Sequence, residues 1–340
     1  MKIDTILFDA RLHTVAGQVT GAEGFGYDGF WSAETGHDPF LPLVLAAEHS
    51  ETIELGTAIA VAFARNPMSM AYLAHDLHAY SGRFILGLGS QIKPHIEKRF
   101  SMPWSSPARR MKEYIQALHA IWDAWNEGTQ LRFKGDFYTH LLMTPFFSPP
   151  PSPHGKPRVF LAAVGPLMTR VAGEVADGLM AHGFTTEAYL REVTIPTLRE
   201  GAEAAGRNPG DVEVALPVFV VTGRNEEDLA ASAAAVRQQI AFYASTPAYR
   251  GVLDHHGWGD LQGELTAMSK RGEWQEMADL VDDEMLATFA VVGEPAAVGR
   301  EIVARYGDLA DRISFYTRPG GLDDETLRTL VDAIREAAEG

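Results

Sequence analysis

Ile3-Asp4-Thr5-Ile6-Leu7-Phe8-Asp9-Ala10-Arg11-Leu12-His13 stands near the start of the chain, and its reading decides the fold. Ile3–Phe8 reads as a first strand, and Thr14–Tyr27 as a helix weakened by Gly17, Gly21 and Gly24. The turn between them, Phe8 to His13, contains no glycine. An open sheet that binds a dinucleotide needs glycines there, because its backbone must approach a pyrophosphate closely. Working outward, seven more strand-like runs follow: Gly29–Ala33, Ile53–Val61, Phe84–Gly89, Arg158–Ala163, Gly178–His182, Val212–Thr222 and Arg312–Thr317. They are nearly continuous apolar runs, as parallel strands buried on both faces should be. Helical patterns separate them. Asp38-Pro39, Asn66-Pro67 and Ser106-Pro107 each place a capping residue before a proline suited to the first helical turn. Met111, Tyr114, Ile115, Leu118, Ile121, Trp122 and Trp125 repeat at helical spacing, and Asn225 opens a long Ala-rich helix. The expected class is α/β: a closed (β/α)8 TIM barrel formed by one domain over 1–340.

Two stretches interrupt the alternation. Thr139–Pro157 carries six prolines and reads as a stiff connection. Thr246–Met285, between the seventh and eighth predicted strands, reads as an insertion that either covers the barrel mouth or packs on its own.

Composition narrows the function classes. The chain has 340 residues, 46% hydrophobic and 22% charged, which is ordinary globular usage. Its 45 acids against 29 bases leave a net charge of −16, so nucleic acid and anionic membrane surfaces are not expected partners. No stretch approaches about 18 uninterrupted apolar residues. The Met1–Asp4 start is too acidic for a signal peptide, and cysteine is absent. A cytoplasmic location is the expectation. Thiolate metal sites and a cysteine nucleophile are excluded.

In a barrel the chemistry sits at the C-terminal strand ends. Asp9, His13, Glu34, His37 and His182 are the acid–base residues there, at no metal-ligand spacing, so no metal site is expected. Asp254-His255-His256 reads as a solvated loop. Gly56-Thr57-Ala58-Ile59, Leu86-Gly87-Leu88-Gly89 and Ala162-Ala163 are small and apolar. They leave room for a flat ring, although close packing without a ligand accounts for them equally. Gly165-Pro166 opens a helix whose positive end suits a phosphate, or is an ordinary capped start.

These blocks resemble the bacterial luciferase-like superfamily and, within it, the coenzyme F420-dependent oxidoreductases. The resemblance runs through Gly26-Tyr27-Asp28-Gly29-Phe30-Trp31-Ser32-Ala33-Glu34 and Glu54-Leu55-Gly56-Thr57-Ala58-Ile59 with Arg65-Asn66-Pro67. It continues through Ser81-Gly82-Arg83-Phe84-Ile85-Leu86-Gly87-Leu88-Gly89-Ser90 and Phe133-Lys134-Gly135-Asp136-Phe137-Tyr138. It ends with Ala162-Ala163-Val164-Gly165-Pro166 and Ala172-Gly173-Glu174-Val175-Ala176-Asp177-Gly178. The resemblance implies a TIM barrel with an insertion, a homodimer, and a flavin or 5-deazaflavin at the mouth. It implies a cis peptide between Ala58 and Ile59 behind the ring, with Glu34 near the ring edge. It places Ser90 and His95 at the cofactor's linker or phosphate. Ala163, Val164, Gly165, Leu167 and Met168 would hold that phosphate through backbone N–H groups.

The departures bear on chemistry. Sugar-phosphate dehydrogenases of the family carry a proton-donating His where this chain has Thr35, and a proton-accepting Glu where it has Ile92. Sugar-phosphate oxidation is therefore not expected. His37, two residues from Thr35, is the candidate proton carrier, or else orders its loop against Asp38. Arg65 and Arg318 are either anion-binding residues or rim salt bridges. Trp31, Phe63, Trp258 and Tyr316 are candidate pocket residues. The expected activity is hydride transfer between the C5 of F420 and a small organic substrate. An FMN-dependent monooxygenase on the same barrel is the alternative. A flavin- or deazaflavin-binding protein without turnover is a further one.

Overall fold

The structure is a computed structural model that describes residues 1–7, 9–317 and 321–339. Eight parallel strands close a barrel: β1 (Lys2–Ile6), β2 (Gly29–Ser32), β3 (Glu54–Thr57), β4 (Phe84–Gly89), β5 (Arg158–Ala163), β6 (Gly178–Ala181), β7 (Glu213–Val221) and β8 (Arg312–Tyr316). Each strand pairs with the next. Lys2 opposite Arg312 joins β1 to β8 and completes the ring. The glycine-free first turn thus belongs to a barrel, as its sequence predicts. Phe8 lies outside the described residues.

Several elements differ from the sequence reading, among them an unanticipated antiparallel pair, Phe133–Lys134 with Thr139–His140. The predicted strand Ile53–Val61 is split into β3 and the two-residue strand Ala60–Val61, with the Ala58–Ile59 peptide bond between them in the cis form. A strand not anticipated, Ala290–Val292, pairs with the outer end of β7 through Phe219 opposite Ala290. Its three residues are too short a run to stand out in a sequence. Ser106 does not cap by its side chain; its backbone is left-handed, with φ 34°. The other caps form as expected. Asp38 Oδ1 accepts from the Phe40 N–H at 2.8 Å, Asn66 Oδ1 from Ser69 at 2.9 Å, and Asn225 Oδ1 from Asp228 at 2.9 Å.

Outward-facing strand residues pack under the helices. Met111, Tyr114, Ile115, Leu118, Ile121 and Trp122 of the helix Pro107–Asn126 are all fully buried. The segment after β7 builds a second core. The helices Glu226–Ala244, Arg250–His255, Leu261–Arg271 and Asp283–Phe289 bury Ile240, Leu253, Leu265 and Phe289 among themselves. This places residues 243–249 over the C-terminal end of the barrel. Among the described residues no helix is long and apolar enough to cross a membrane.

The N-terminal end of the barrel is closed by charge. Arg312 is fully buried, with Nε 2.6 Å from Asp4 Oδ2, Nη2 2.9 Å from Asp4 Oδ1 and Nη1 3.0 Å from Glu54 Oε2. Arg158 pairs with Glu54 and Glu213, and Lys2 with Glu54. Inside this plug Trp31, Ile85, Phe160 and Ala215 form the first interior layer, with Arg312 over the faces of Trp31 and Phe160. Gly56 and Gly178 make that layer possible. A Cβ on Gly56 would lie 2.3 Å from the Trp31 ring, and one on Gly178 2.6 Å from the Phe160 ring.

Candidate active site at the barrel mouth

A cavity of about 630 Å³ runs from that layer to the C-terminal mouth. Its two halves differ. The half built on β2–β5 presents Ala33, Ala58, Gly89, Ala162 and Ala163, a low apolar wall. The half built on β6–β8 presents His182, Pro217 and Tyr316, with Tyr243 and Tyr249 reaching in from the helical segment above.

The glycines of the first half act through close approach. A Cβ on Gly87 would sit 1.8 Å from the Thr57 carbonyl oxygen, and one on Gly89 2.6 Å from Ile59 Cδ1. Gly87-x-Gly89 is therefore what lets the Ala58-Ile59 turn lie flat against β4. The turn is clamped from β2 as well. Ala58 N–H donates to the Ser32 carbonyl at 2.8 Å, and Glu34 N–H to the Ile59 carbonyl at 3.3 Å. Glu34, buried on the cavity wall, accepts from the Val61 N–H and from Arg65 Nη1, both at 2.7 Å. Arg65 also meets Asp38 at 3.0 Å. Burial would lower its pKa, but the hydrogen bond and charge of Glu34, and the charge of Asp38, raise it. Of the two readings of Arg65, the structure takes the salt bridge. Arg318 lies outside the described residues.

The remaining expected residues divide. Ser90, Ala163 and Val164 line the cavity beside Ala58 and Ile59. Gly165 is the N-cap of the helix Pro166–Val175, with no side chain capping the first turn. Pro166 has no N–H, and the Met168 and Thr169 N–H groups donate to the Gly165 carbonyl at 3.1 Å, so in the first turn the Leu167 N–H is the one without an acceptor among the described residues. Met168 is half-buried, and Leu167 is 75% exposed beside the mouth. His95 is exposed at the start of the turn His95–Arg99. His37 is exposed and does not line the cavity. Asp38, its neighbour, is committed to the helix Phe40–Glu48 and to Arg65, which holds the loop outward. The structure thus does not bring the expected proton carrier to the site, nor does it show His37 paired with Asp38. Thr35 and Ile92 do line the cavity, so both family acid–base positions face it without an acid–base group. Trp31 and Tyr316 line it too. Phe63 is instead buried against Trp104 and Arg110, and Trp258 stacks on His256 in the second core. Asp254-His255-His256 is a helix end rather than a solvated loop, with His256 Nε2 2.8 Å from Thr186 Oγ1 and His255 3.4 Å from Glu192. Among the described residues no group of three His, Asp or Glu is placed to hold a metal ion.

On the tyrosine side of the mouth the sequence reading names His182 and Tyr316 but not Tyr243 or Tyr249. His182 Nδ1 accepts from the Phe184 N–H at 3.0 Å. A backbone N–H can only donate, so Nδ1 carries a lone pair and the neutral ring bears its proton on Nε2. Nε2 lies 3.1 Å from Tyr249 Oη. Burial holds the His182 pKa down at about 4, and burial pushes that of Tyr249 up to about 12. Beside them the hydroxyls of Tyr243 and Tyr316 hydrogen-bond to each other. The signal that could have found Tyr249 is its place at the start of a long segment expected over the mouth.

A parallel barrel with an apolar ring-sized wall, a helix N-terminus and a cluster of phenols at its C-terminal mouth has room there for a flat organic molecule. The chain matches the family model described as luciferase-like monooxygenase over residues 4–312, and it belongs to that family. An uncharacterised protein of Mycobacterium tuberculosis (strain H37Rv) is 55% identical over 304 residues, 89% of each chain. A putative coenzyme F420-dependent oxidoreductase of the same organism is 26% identical over 294 residues, 81% of this chain and 82% of its own. Among solved structures, the coenzyme F420-dependent tetrahydromethanopterin reductase of Methanopyrus kandleri superposes with a TM-score of 0.77 at 21% identity. It covers 97% of this chain and 96% of that one.

Proposed function

We propose that the protein is an F420-dependent oxidoreductase that moves a hydride between the deazaflavin and a small organic substrate. The observation that carries this reading is the continuity of the low wall with the helix start. Ala58, Gly89, Ala162 and Ala163 lead directly to Val164 and the N-cap Gly165. A flat ring on the wall would put its phosphate at the positive start of this helix, beside the open Leu167 N–H, so the residues present fit the group. Ser90 and the exposed run Lys93, His95, Lys98 and Arg99 would face an anionic tail. A bound deazaflavin supplies a hydride donor or acceptor. The chain's own part is to orient the ring, exclude water and handle the proton. Glu34 holds the ring-edge side of the wall through Val61 and Arg65. The putative F420-dependent relative supports the cofactor.

The family's monooxygenase description favours FMN as the second reading. Titration of the purified protein with F420 and, separately, FMN separates the two, with tryptophan quenching as the readout. Micromolar F420 binding with FMN at least tenfold weaker is expected. The reverse order would move the protein to the oxygen-using branch, and binding of neither would overturn the cofactor site. A second copy of this chain is the proposed partner. Leu41 and Val44, Leu73, and Leu142, Phe146 and Phe147 expose apolar surface on the helices Phe40–Glu48 and Pro67–Ser81 and the loop tied to them by Tyr72. An exposed apolar face of this kind is a candidate surface for a second copy.

A further inference from the structure

We infer that Tyr249, positioned by His182, is the proton donor to the oxygen of an uncharged carbonyl substrate, and the acceptor from the matching alcohol in reverse. The inference rests on the hydride-transfer reading above and adds the substrate class and the proton path.

Two observations carry it. The first is the direction of the hydrogen bonds. His182 Nδ1 is occupied by the Phe184 N–H, so Nε2–H donates to Tyr249 Oη. No other hydrogen bond engages that hydroxyl among the described residues. Its own proton therefore points to a further partner, and Tyr249 lines the cavity. Tyr243 and Tyr316 share one hydrogen bond that either can donate, so one proton of that pair is also free, but at Tyr249 the His182 donor fixes which proton is left to give. The second observation is the charge inventory of the cavity. Its charged side chains among the described residues are Asp4, Arg312 and Glu34. Asp4 and Arg312 hold each other, and Arg65 holds Glu34. A carboxylate or phosphate on the reacting end of a substrate would find no free counter-ion and would lose its hydration without return. An uncharged oxygen needs only a donor, which Tyr249 provides.

In the reducing direction the carbonyl carbon accepts the hydride, and the C=O π pair passes to oxygen. That oxygen takes the Tyr249 proton and becomes an alcohol. Two-electron oxidation of the reduced deazaflavin balances the step. The phenolate left behind accepts the His182 Nε2–H bond and regains its proton from water at the open mouth. Burial raises the phenol only to about 12, well short of what an alkoxide would need to leave it unprotonated.

The test has a binding arm and a turnover arm. Isobutyramide, an uncharged carbonyl analogue that takes no hydride, and isobutyrate are titrated by ligand-observed NMR, with and without F420. The amide is expected to bind and the carboxylate to bind at least tenfold more weakly. Tyr249→Phe should weaken the amide about tenfold while leaving the F420 titration unchanged. Equal binding by wild type and Tyr249→Phe, or preference for the carboxylate, overturns the proposal. Loss of F420 binding in the wild type instead overturns the cofactor reading, and the amide comparison on the free protein still decides this one. With reduced F420 and short uncharged ketones, Tyr249→Phe should lower kcat about 100-fold. His182→Ala should lower it about tenfold with little change in KM, and His182→Gln, which restores an N–H donor, should recover most of that loss. Full turnover by Tyr249→Phe sinks the proton donor. Equal defects in the two His182 variants sink the positioning role.

Discussion

The two ends of this barrel use polar groups in opposite ways. At the N-terminal end, Asp4, Glu54 and Glu213 face Lys2, Arg158 and Arg312, and every charge is spent on another. Burial alone would lower the Arg312 pKa; the hydrogen bonds and charge of Asp4, with Glu54 and Glu213, raise it instead. Among the described residues there, each of these charges already has a partner. At the C-terminal end, Glu34 and Arg65 are likewise paired, but the Tyr249 hydroxyl and the Leu167 N–H at the helix start keep unspent donors. The difference teaches where stability and function divide. A saturated network holds the ring of strands closed, and groups with a free valence collect where loops and the helical segment leave space.

The comparison can be broken most forcefully at the closed end. Arg312→Ala leaves the Asp4 carboxylate buried without a partner and should cost about 3–5 kcal/mol in urea unfolding. The double change Asp4→Leu with Arg312→Met should recover most of that loss, because it removes both desolvated charges. If Arg312→Ala proved neutral, the plug would not be what holds the barrel. At the mouth, His182 gives the next largest effect, and it depends on pH. Burial lowers its pKa from 6.5 to about 4. Above pH 6.5 the ring is neutral in both folded and unfolded chains and costs nothing. As pH falls from 6.5 toward 4, the unfolded chain takes up a proton that the folded site refuses. Stability then falls by about 1.4 kcal/mol per pH unit, to a total of about 3 kcal/mol. The difference between wild type and His182→Gln across that window measures it, and parallel curves would show a solvated imidazole.

Glycine substitutions sharpen the contrast further. Gly87→Ala forces a methyl group to 1.8 Å from the Thr57 carbonyl and 2.9 Å from Met180 Sδ. It should cost about 1–3 kcal/mol. Gly165→Ala meets nothing within 4 Å and has a φ of −103°, so its unfolding free energy should match the wild type to within about 0.5 kcal/mol. Equal effects at the two positions would mean that the low wall is not tightly built.

Much of this was legible beforehand because it rests on local rules. The glycine-free turn after β1 excluded a dinucleotide sheet, and Asn66 and Asn225 announced their helices. The buried stripe from Met111 to Trp125 needs only the helical repeat. The blocks around Gly26–Glu34 and Glu54–Ile59 carried the family and with it the Ala58–Ile59 cis peptide. Ala58, Ile59, Ser90, Ala163 and Val164 were placed at the mouth by the same resemblance. His37 lies off the cavity wall, because a spacing of two residues cannot say which way a loop turns. Asp38 and Arg65, far apart in sequence, decide that.

From the sequence alone follow the eight barrel strands and, through its sequence blocks, the family, since hydrophobic periodicity, turn chemistry and short motifs act over a few residues. Tertiary structure alone decides which polar groups are spent. Arg312 meets Asp4 across 308 positions. Tyr249 meets His182 across 67. Whether a charge is saturated or a hydroxyl is left with a proton to give depends on such partners, which are brought together when the strands close into a ring and the helical segment folds over its mouth.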